Sequence, residues 1–345
     1  MSLPVIKYCP STLAKGFNTY SPTACKRLFF GKKVNHILSF SSPQQDKKVA
    51  ADFRQNRKVL SISGYQVKQS LRLRKNQLTI TQEGEQGQYI LKPIPHRETF
   101  GRVEQLPANE HLTMQIASQV IKMKVAENAL VFFANGEPAY LTKRFDVQPN
   151  GNKIAQEDFA TLMERTRDSH GEIFKNETSY EAMAKVMKKY VVAYAFEIEK
   201  YFTLVVFNYI TLNGDAHLKN FSLQMTDSGD YVLSPAYDLI NTRIHIENDT
   251  AMALTDGLFH DDYYSESYEV NGFYAYDDFF EFGLKIGMKE TRIRKILESF
   301  ITSTSLVKRL IERSYLNTES KKLYLELFES RVRAISYSYG KIRTQ

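Results

Sequence analysis

The chain of 345 residues predicts an α+β fold of two unequal lobes, a small β-rich N-lobe and a larger helical C-lobe. Three observations carry that expectation. Apolar runs with strand-like alternation, broken by Gly-bearing turns, fill residues 60–145 around one helical pattern. Apolar residues recur at helical spacing from Tyr180 to Leu212 and again over 275–340. Between those helical stretches lie polar loops that hold Asp215, Asn220 and Asp238. Strands first, helices after, and carboxylates on the loops between give the order of a protein-kinase-like bilobal fold. The expected division is an N-terminal extension with short helices (1–58), an N-lobe (59–146), and a C-lobe with catalytic and metal-binding loops (147–345).

Composition sets the outer limits. Hydrophobic residues make up 43% and charged residues 25%, ordinary values for a globular protein with a core. No apolar run reaches the ~18 residues of a membrane span, and no signal peptide is visible, so a cytoplasmic location is expected. Two cysteines, Cys9 and Cys25, argue for a reducing compartment and fall short of a zinc knuckle. A net charge of +7 suggests an acidic partner: nucleotide, a tRNA-bound protein or a DNA-bound complex.

Each element follows in turn. Lys26–Gly31 reads as a short helix ending at a glycine, and 45–58 as a basic solvated helix. Leu60–Lys68 holds Ser61, Ser63 and Gly64 in a small-residue turn where backbone N–H groups can approach phosphate; by itself that signal is weak, and a hairpin turn is the plainer reading. Strands are expected at 77–82 and 88–92, the second closing on Lys92. A lysine there either snorkels at the sheet edge or, as in kinases, pairs with nucleotide phosphates and a helix glutamate. The candidate glutamate is Glu110, in a helix for which Asn109 is the expected N-cap. Two more strands, 129–134 and 138–145, flank the Asn135-Gly136 turn, which completes five strands and one helix before residue 147. Lys143 and Phe145 close the last strand, where an adenine-binding hinge would recognise the base through backbone groups.

Farther on, a short helix is expected over Gln156–Arg165, then buried helices from Tyr180 to Leu212 with a break near 191. Leu212-Asn213-Gly214-Asp215-Ala216-His217-Leu218-Lys219-Asn220 follows. An Asp with an Asn five positions on, and a later isolated Asp238 in Ser234-Pro235-Ala236-Tyr237-Asp238, is the pattern by which kinases arrange a base and metal ligands around phosphates. Asp215 would accept the substrate hydroxyl's proton, while Asn220 and Asp238 offer hard oxygen ligands to Mg2+. The plainer alternative is a capping Asp and a turn Asn after a helix. A hairpin is expected over 221–225 and 231–233, a short strand at Ala251–Leu254, and helices over 275–340.

These residues resemble the HipA-like serine/threonine kinases, toxins of bacterial toxin–antitoxin modules. The likeness runs from about residue 59 to the C-terminus. It rests on Ser61–Lys68, Tyr89–Pro93, Asn109-Glu110-His111, Lys143–Asp146, and above all Asn213–Asn220 and Leu233–Asp238. The short stretch ahead of the Gly-bearing loop is similar to the short form of three-component systems, HipT. There a separate small protein, HipS, corresponds to the missing N-terminal part and HipB is the DNA-binding member. The resemblance implies ATP and Mg2+ as cofactors, Asp215 as base, Lys219 neutralising the transferred phosphoryl, and Asn220 and Asp238 as metal ligands. It further implies Lys92, Glu110, Ser63, Gly64, Lys143, Phe145 and His217 around the nucleotide, with His217 orienting the loop. Ser61 and Ser63 would be autophosphorylated, the protein substrate an aminoacyl-tRNA synthetase, the partners HipS-like and HipB-like proteins, and DNA an indirect contact only. Two other functions stay open on the residues alone: a small-molecule phosphotransferase with the same Gly-Asp…Asn loop, and a catalytically silent kinase fold serving as a binding module in a DNA-bound complex.

Overall fold

A computed structural model describes residues 5–43, 67–95, 101–260 and 263–340. Ser61, Ser63, Gly64 and the basic 45–58 segment lie outside the described residues. The first helix, α1 (Pro22–Phe29), starts four residues earlier than expected because Pro22 occupies the first turn and the Ser21 hydroxyl accepts the Ala24 N–H. Five strands follow: β1 (Gln69–Arg74), β2 (Gln77–Ile80), β3 (Tyr89–Pro93), β4 (Asn128–Phe132) and β5 (Pro138–Lys143). They form one antiparallel sheet in the order β2-β1-β3-β5-β4, with helix α2 (Leu106–Gln119) between β3 and β4 in sequence.

Strand alternation divides the sheet's two faces between two cores. Tyr89, Leu91, Ala129, Val131 and Leu141 face α1, packing on Leu28 and Phe29, and the Tyr89 hydroxyl donates to Leu28 O at 2.7 Å. Leu130, Phe132 and Tyr140 face α2 and join a larger core with Leu112 and Ile116. Lys92 is the Cα partner of Tyr140 across β3 and β5, so it shares the α2 face. That register, set by the apolar alternation, turns its amine inward.

The rest is mainly helical. A small sheet of β6 (Gln156–Asp158), β7 (Ser222–Met225) and β8 (Tyr231–Leu233) accompanies two one-turn helices, α3 (Phe159–Leu162) and α4 (Arg167–His170). Helix α5 (Tyr180–Tyr190) is capped by Ser179, and α6 (Tyr194–Ile210) carries Phe202, Val205, Val206 and Tyr209 through the core. Helices α7 (Glu266–Asn271), α8 (Tyr276–Lys285), α9 (Glu290–Ile301), α10 (Thr304–Arg313) and α11 (Thr318–Ser336) follow. Tyr324 on α11 shares a hydrogen bond of 2.9 Å with Thr113 on α2, so the last helix braces the one that carries Glu110. Among the described residues no helix is long and apolar enough to cross a membrane.

Three local expectations are corrected. Asn109 is not an N-cap: α2 begins at Leu106, with Pro107 in its first turn, and Asn109 is a fully buried interior residue. Gln156–Arg165 is not one helix: its first three residues pair with β7, and Asp158 then caps the single turn α3. Ala251–Leu254 forms no strand; it is a bend lying beside α5 and its cap, where Thr255 N donates to Asn176 O. In each case a tertiary partner outweighs a short local pattern.

Candidate active site

The buried charges come first. Lys92 Nζ lies 2.6 Å from Glu110 Oε1 and 2.7 Å from Asp238 Oδ1, and its side chain is 5% exposed. Lys68 approaches the other Asp238 oxygen at 3.6 Å. Burial alone would raise the Asp238 carboxyl, yet the Lys92 and Lys68 ammonium groups hold it well below the usual range, so it is an anion. Burial by itself would depress the Lys92 amine, but Asp238 and Glu110 keep it above its ordinary value and charged. Glu110 bears the cost of that arrangement: burial pushes it up to about 7, with Lys92 opposing and Asp238 adding to the rise.

Backbone and amide contacts fix this cluster. Ala236 N donates to Lys124 O and Ala126 N to Ala236 O, both at 2.9 Å, pinning the stretch before Asp238 to the turn after α2. Beyond Asp238, whose φ of +55° is uncommon outside glycine, the chain is held by Asn109. The Asn109 Nδ2 group donates to Asn241 O and to His245 Nε2, each at 2.8 Å, and Asn109 Oδ1 accepts the Asn241 N–H at 3.3 Å. His245 Nδ1 faces Gly101 O at 3.1 Å and so carries the proton, which makes Nε2 the acceptor. Burial holds His245 down to about 4, consistent with that neutral ring.

The second component is the loop after α6. Leu212, with φ of +52°, turns the chain out of the helix. Asn213 is buried; its Nδ2 donates to Asn208 Oδ1 at 3.0 Å and reaches Asp238 O at 3.4 Å, tying the two loops together. Asp215 O accepts from His217 N at 2.8 Å and from Asn220 Nδ2 at 2.9 Å. That bond uses the Asn220 amide nitrogen and leaves Oδ1 as its hard ligand atom. The Asp215 carboxylate is 21% exposed, 3.6 Å from His217 Nε2. Burial pushes His217 down to about 3, so it is a neutral dipole beside Asp215. Lys219 is exposed, and its carbonyl accepts from the Tyr237 hydroxyl at 2.9 Å.

Not every expected residue converges. Phe145 does: its ring lies 5.6 Å from that of Tyr237, next to Asp238. Lys143 does not. Its amine donates to Arg27 O at 2.9 Å and sits 3.8 Å over the Phe30 ring, on the α1 side of the sheet. The N–H groups of Lys143 and Arg144 are spent on Glu127 O and Gln88 O, so neither is left for a base. Conversely, Lys68, Lys175 and His245 belong to the site without having been given a role from sequence, and Asn109 belongs to it in place of the N-cap role expected of it. Lys175 lies near Asp215; burial lowers its amine while the Asp215 charge supports it. No motif marks Lys175, whereas Lys68 stood in plain view at the end of the Gly-bearing segment.

The donor set suits Mg2+ with a nucleotide. Among the described residues no group of three or more His, Cys, Asp or Glu side chains forms a metal cage. Mg2+ needs none: it is held by one or two protein oxygens plus phosphates and waters. Asp238, anionic, and Asn220 Oδ1 would supply that minimum, with Lys92, 2.7 Å from Asp238, as a charged group for phosphate.

The profile described as "HipA-like C-terminal domain" matches residues 60–306. A Haemophilus influenzae protein named "Putative kinase" is 30% identical over 291 residues, covering 81% of this chain and 82% of its own length. A Sinorhizobium fredii protein named "Putative kinase Y4dM" is 31% identical over 227 residues, 62% of this chain and 52% of its own. Among solved structures, a chain of the Shewanella oneidensis HipA, HipB and operator DNA complex superposes with a TM-score of 0.65 at 18% identity. It covers 87% of this chain and 73% of that one, a likeness of fold. The profile spans well over half of the sequence, and the kinase-like fold and the kinase-named relatives agree with it: the chain belongs to the HipA-like C-terminal domain family.

Proposed function

We propose that the protein is an ATP-dependent serine/threonine protein kinase acting as the toxin of a toxin–antitoxin module. One observation carries the reading. Asp238 is held as an anion by the Lys92–Glu110 pair on one side, and through Asn213 on the other to the loop bearing Asp215 and Asn220. In this reading Lys92 orients the phosphates of ATP, and Asp215 accepts the proton of the substrate hydroxyl. The hydroxyl oxygen bonds to the γ-phosphorus as the bridging bond to ADP breaks. Asn220 and Asp238 would hold Mg2+, which supplies neutralisation of phosphate charge. Lys219, exposed beside them, adds positive charge where the phosphoryl passes.

The substrate is taken to be an aminoacyl-tRNA synthetase, and Ser61 and Ser63 the autophosphorylated regulators. A phosphate there adds roughly −1.5 to −2 charge and would compete with ATP for Lys92. The Shewanella relative, which assembles with HipB on operator DNA, supports a HipB-like partner here; the HipS-like partner rests on the likeness to the short form. The test is Mg2+-dependent transfer from labelled ATP to the protein itself, to a panel of synthetases and to small-molecule acceptors, with Asp215→Asn as control. Label on a synthetase and on Ser61 or Ser63 is the expected result. Transfer to small molecules alone would replace this reading with a small-molecule phosphotransferase.

A further inference from the structure

Beyond the carboxylate cluster, a cavity of about 500 Å³ opens between the 243–257 and 264–274 segments and α11. Its walls include Arg243, Arg331, Tyr209, Tyr264, Tyr268 and Tyr274. It adjoins the segment that carries Asp215: Gly214 is packed so closely on its wall that a Cβ there would lie 2.9 Å from Thr250 O, and Thr250 lines the cavity. Gly214 N also donates to the Thr242 hydroxyl at 3.0 Å, directly before Arg243. The cavity wall is thus in packing contact with the residue that precedes Asp215.

The chemistry of the walls is specific. Arg331 lies over the Tyr209 ring at 5.6 Å and donates to its hydroxyl at 3.2 Å. Arg243 donates through Nε to the Asp249 carbonyl. Among the described residues neither guanidinium is paired with a carboxylate. The one acid on the wall, Asp256, is exposed at the rim and accepts from the Thr255 hydroxyl at 3.0 Å. Two guanidinium groups held by neutral partners leave fork-shaped donors for an incoming anion. The tyrosines, with Tyr268 and Tyr274 at 4.5 Å between ring centroids, form an aromatic wall beside them.

We infer that this cavity is the acceptor-side specificity pocket: Arg243 and Arg331 bind an acidic side chain of the substrate polypeptide near the residue that is phosphorylated. The inference rests on the kinase reading above, yet its test does not require phosphoryl transfer. The probes are three fluorescein-labelled nine-residue peptides with a central serine, flanked by glutamates, by glutamines, or by glutamates and one phosphoserine. Anisotropy with the full-length protein, ADP and Mg2+ gives their Kd values. The glutamate peptide should bind at least tenfold more tightly than the glutamine one. Arg243→Gln and Arg331→Gln should each remove most of that preference, and Arg331→Lys should retain part of it. The surface pair Lys122→Gln/Lys124→Gln should change it less than twofold. A stronger preference for the phosphoserine peptide that the arginine variants also abolish would make phosphate the anion the pocket selects. Equal binding of glutamate and glutamine peptides would overturn the pocket. So would loss in the surface-lysine variant as large as in the arginine variants, or full retention in Arg243→Gln, which decides the matter if Arg331→Gln does not fold. Failure of phosphoryl transfer to any acceptor, with peptide binding intact, would instead remove the kinase reading and leave an anion-binding site.

Discussion

The Lys92–Glu110–Asp238 cluster and the Asp215–Asn220 loop meet at one site but are held by opposite means. The cluster joins residues up to 146 positions apart by buried charge. The loop is held by neutral backbone, hydroxyl and amide bonds, some within five residues and others to Lys175, Tyr180, Tyr237 and Thr242. Removing a partner from a buried ion pair leaves an uncompensated charge and costs about 3–5 kcal/mol. Altering one partly exposed carboxylate in such a loop costs far less. In the proposed reading the cluster is therefore both scaffold and machinery, whereas the Asp215 carboxylate carries chemistry with a smaller share of the stability. Substitutions should separate the two.

The largest effect is expected for Lys92→Met. It leaves Glu110 and Asp238 facing each other, so urea denaturation should show a loss of about 3–5 kcal/mol together with loss of phosphoryl transfer. Wild-type stability in this variant would break the comparison. Asp238→Asn should abolish transfer and weaken calorimetric binding of Mg2+–ATP, since an anionic ligand is lost. Unchanged binding would remove Asp238 from the metal site.

Asp215→Asn should reduce transfer by roughly 10²–10⁴-fold, the usual contribution of a general base. Stability should move by less than about 1 kcal/mol, as for other partly exposed substitutions. A large loss of stability would show that the loop is as load-sharing as the cluster.

Asn109→Ala tests the join between them. It strips the Asn241 backbone and His245 of partners, at about 1–3 kcal/mol for the buried groups left unsatisfied. Because Asn109 adjoins Glu110 and holds the chain beyond Asp238, kcat should fall more than the KM for ATP rises. A purely structural role would leave the kcat of the folded protein unchanged.

The last prediction concerns pH. His111 and His245 are held down to about 4 and His217 to about 3, all by burial. Below 6.5 the unfolded chain binds protons that the folded one does not, so their contribution is full above 6.5 and is lost as pH falls toward 4. At pH 5 each costs on the order of 2 kcal/mol. Glu110, raised to about 7, works the other way: the folded state takes up its proton first, so stability rises between 7 and 4.5. Asp238, depressed, matters only below the ordinary carboxylate range. Urea midpoints should thus fall between pH 7 and 5, and more steeply in Glu110→Gln. An equal slope in that variant would show that Glu110 does not titrate in this window.

Much of this was legible before any coordinates. The five strands, the helix between the third and fourth, and the break between α5 and α6 near 191 follow from periodicities of two and 3.6, which local sterics enforce. A strand-closing lysine more usually snorkels at the sheet edge, and it is the kinase-like order of elements that makes Lys92 and Glu110 candidates for the pair seen at 2.6 Å. The side on which the Lys143 amine lies was not legible, because sequence shows that a lysine ends a strand and not which face it leaves by; the hinge reading of Lys143 concerned its backbone alone. One residue of register separates the α2 face, where Lys92 points, from the α1 face, where Lys143 meets Arg27 and Phe30.

By itself, then, the sequence determined the order of elements, the spacing that makes Asp215, Asn220 and Asp238 candidates, and the family. Those depend on contacts between residues near in the chain. Only the tertiary structure decided that Asn109 abandons a cap to clasp Asn241 and His245, that Lys68 and Lys175 join the site, and that Arg243 and Arg331 share one cavity. Those partners lie tens to more than a hundred residues apart, and no local pattern fixes a contact whose geometry is set by how whole layers pack.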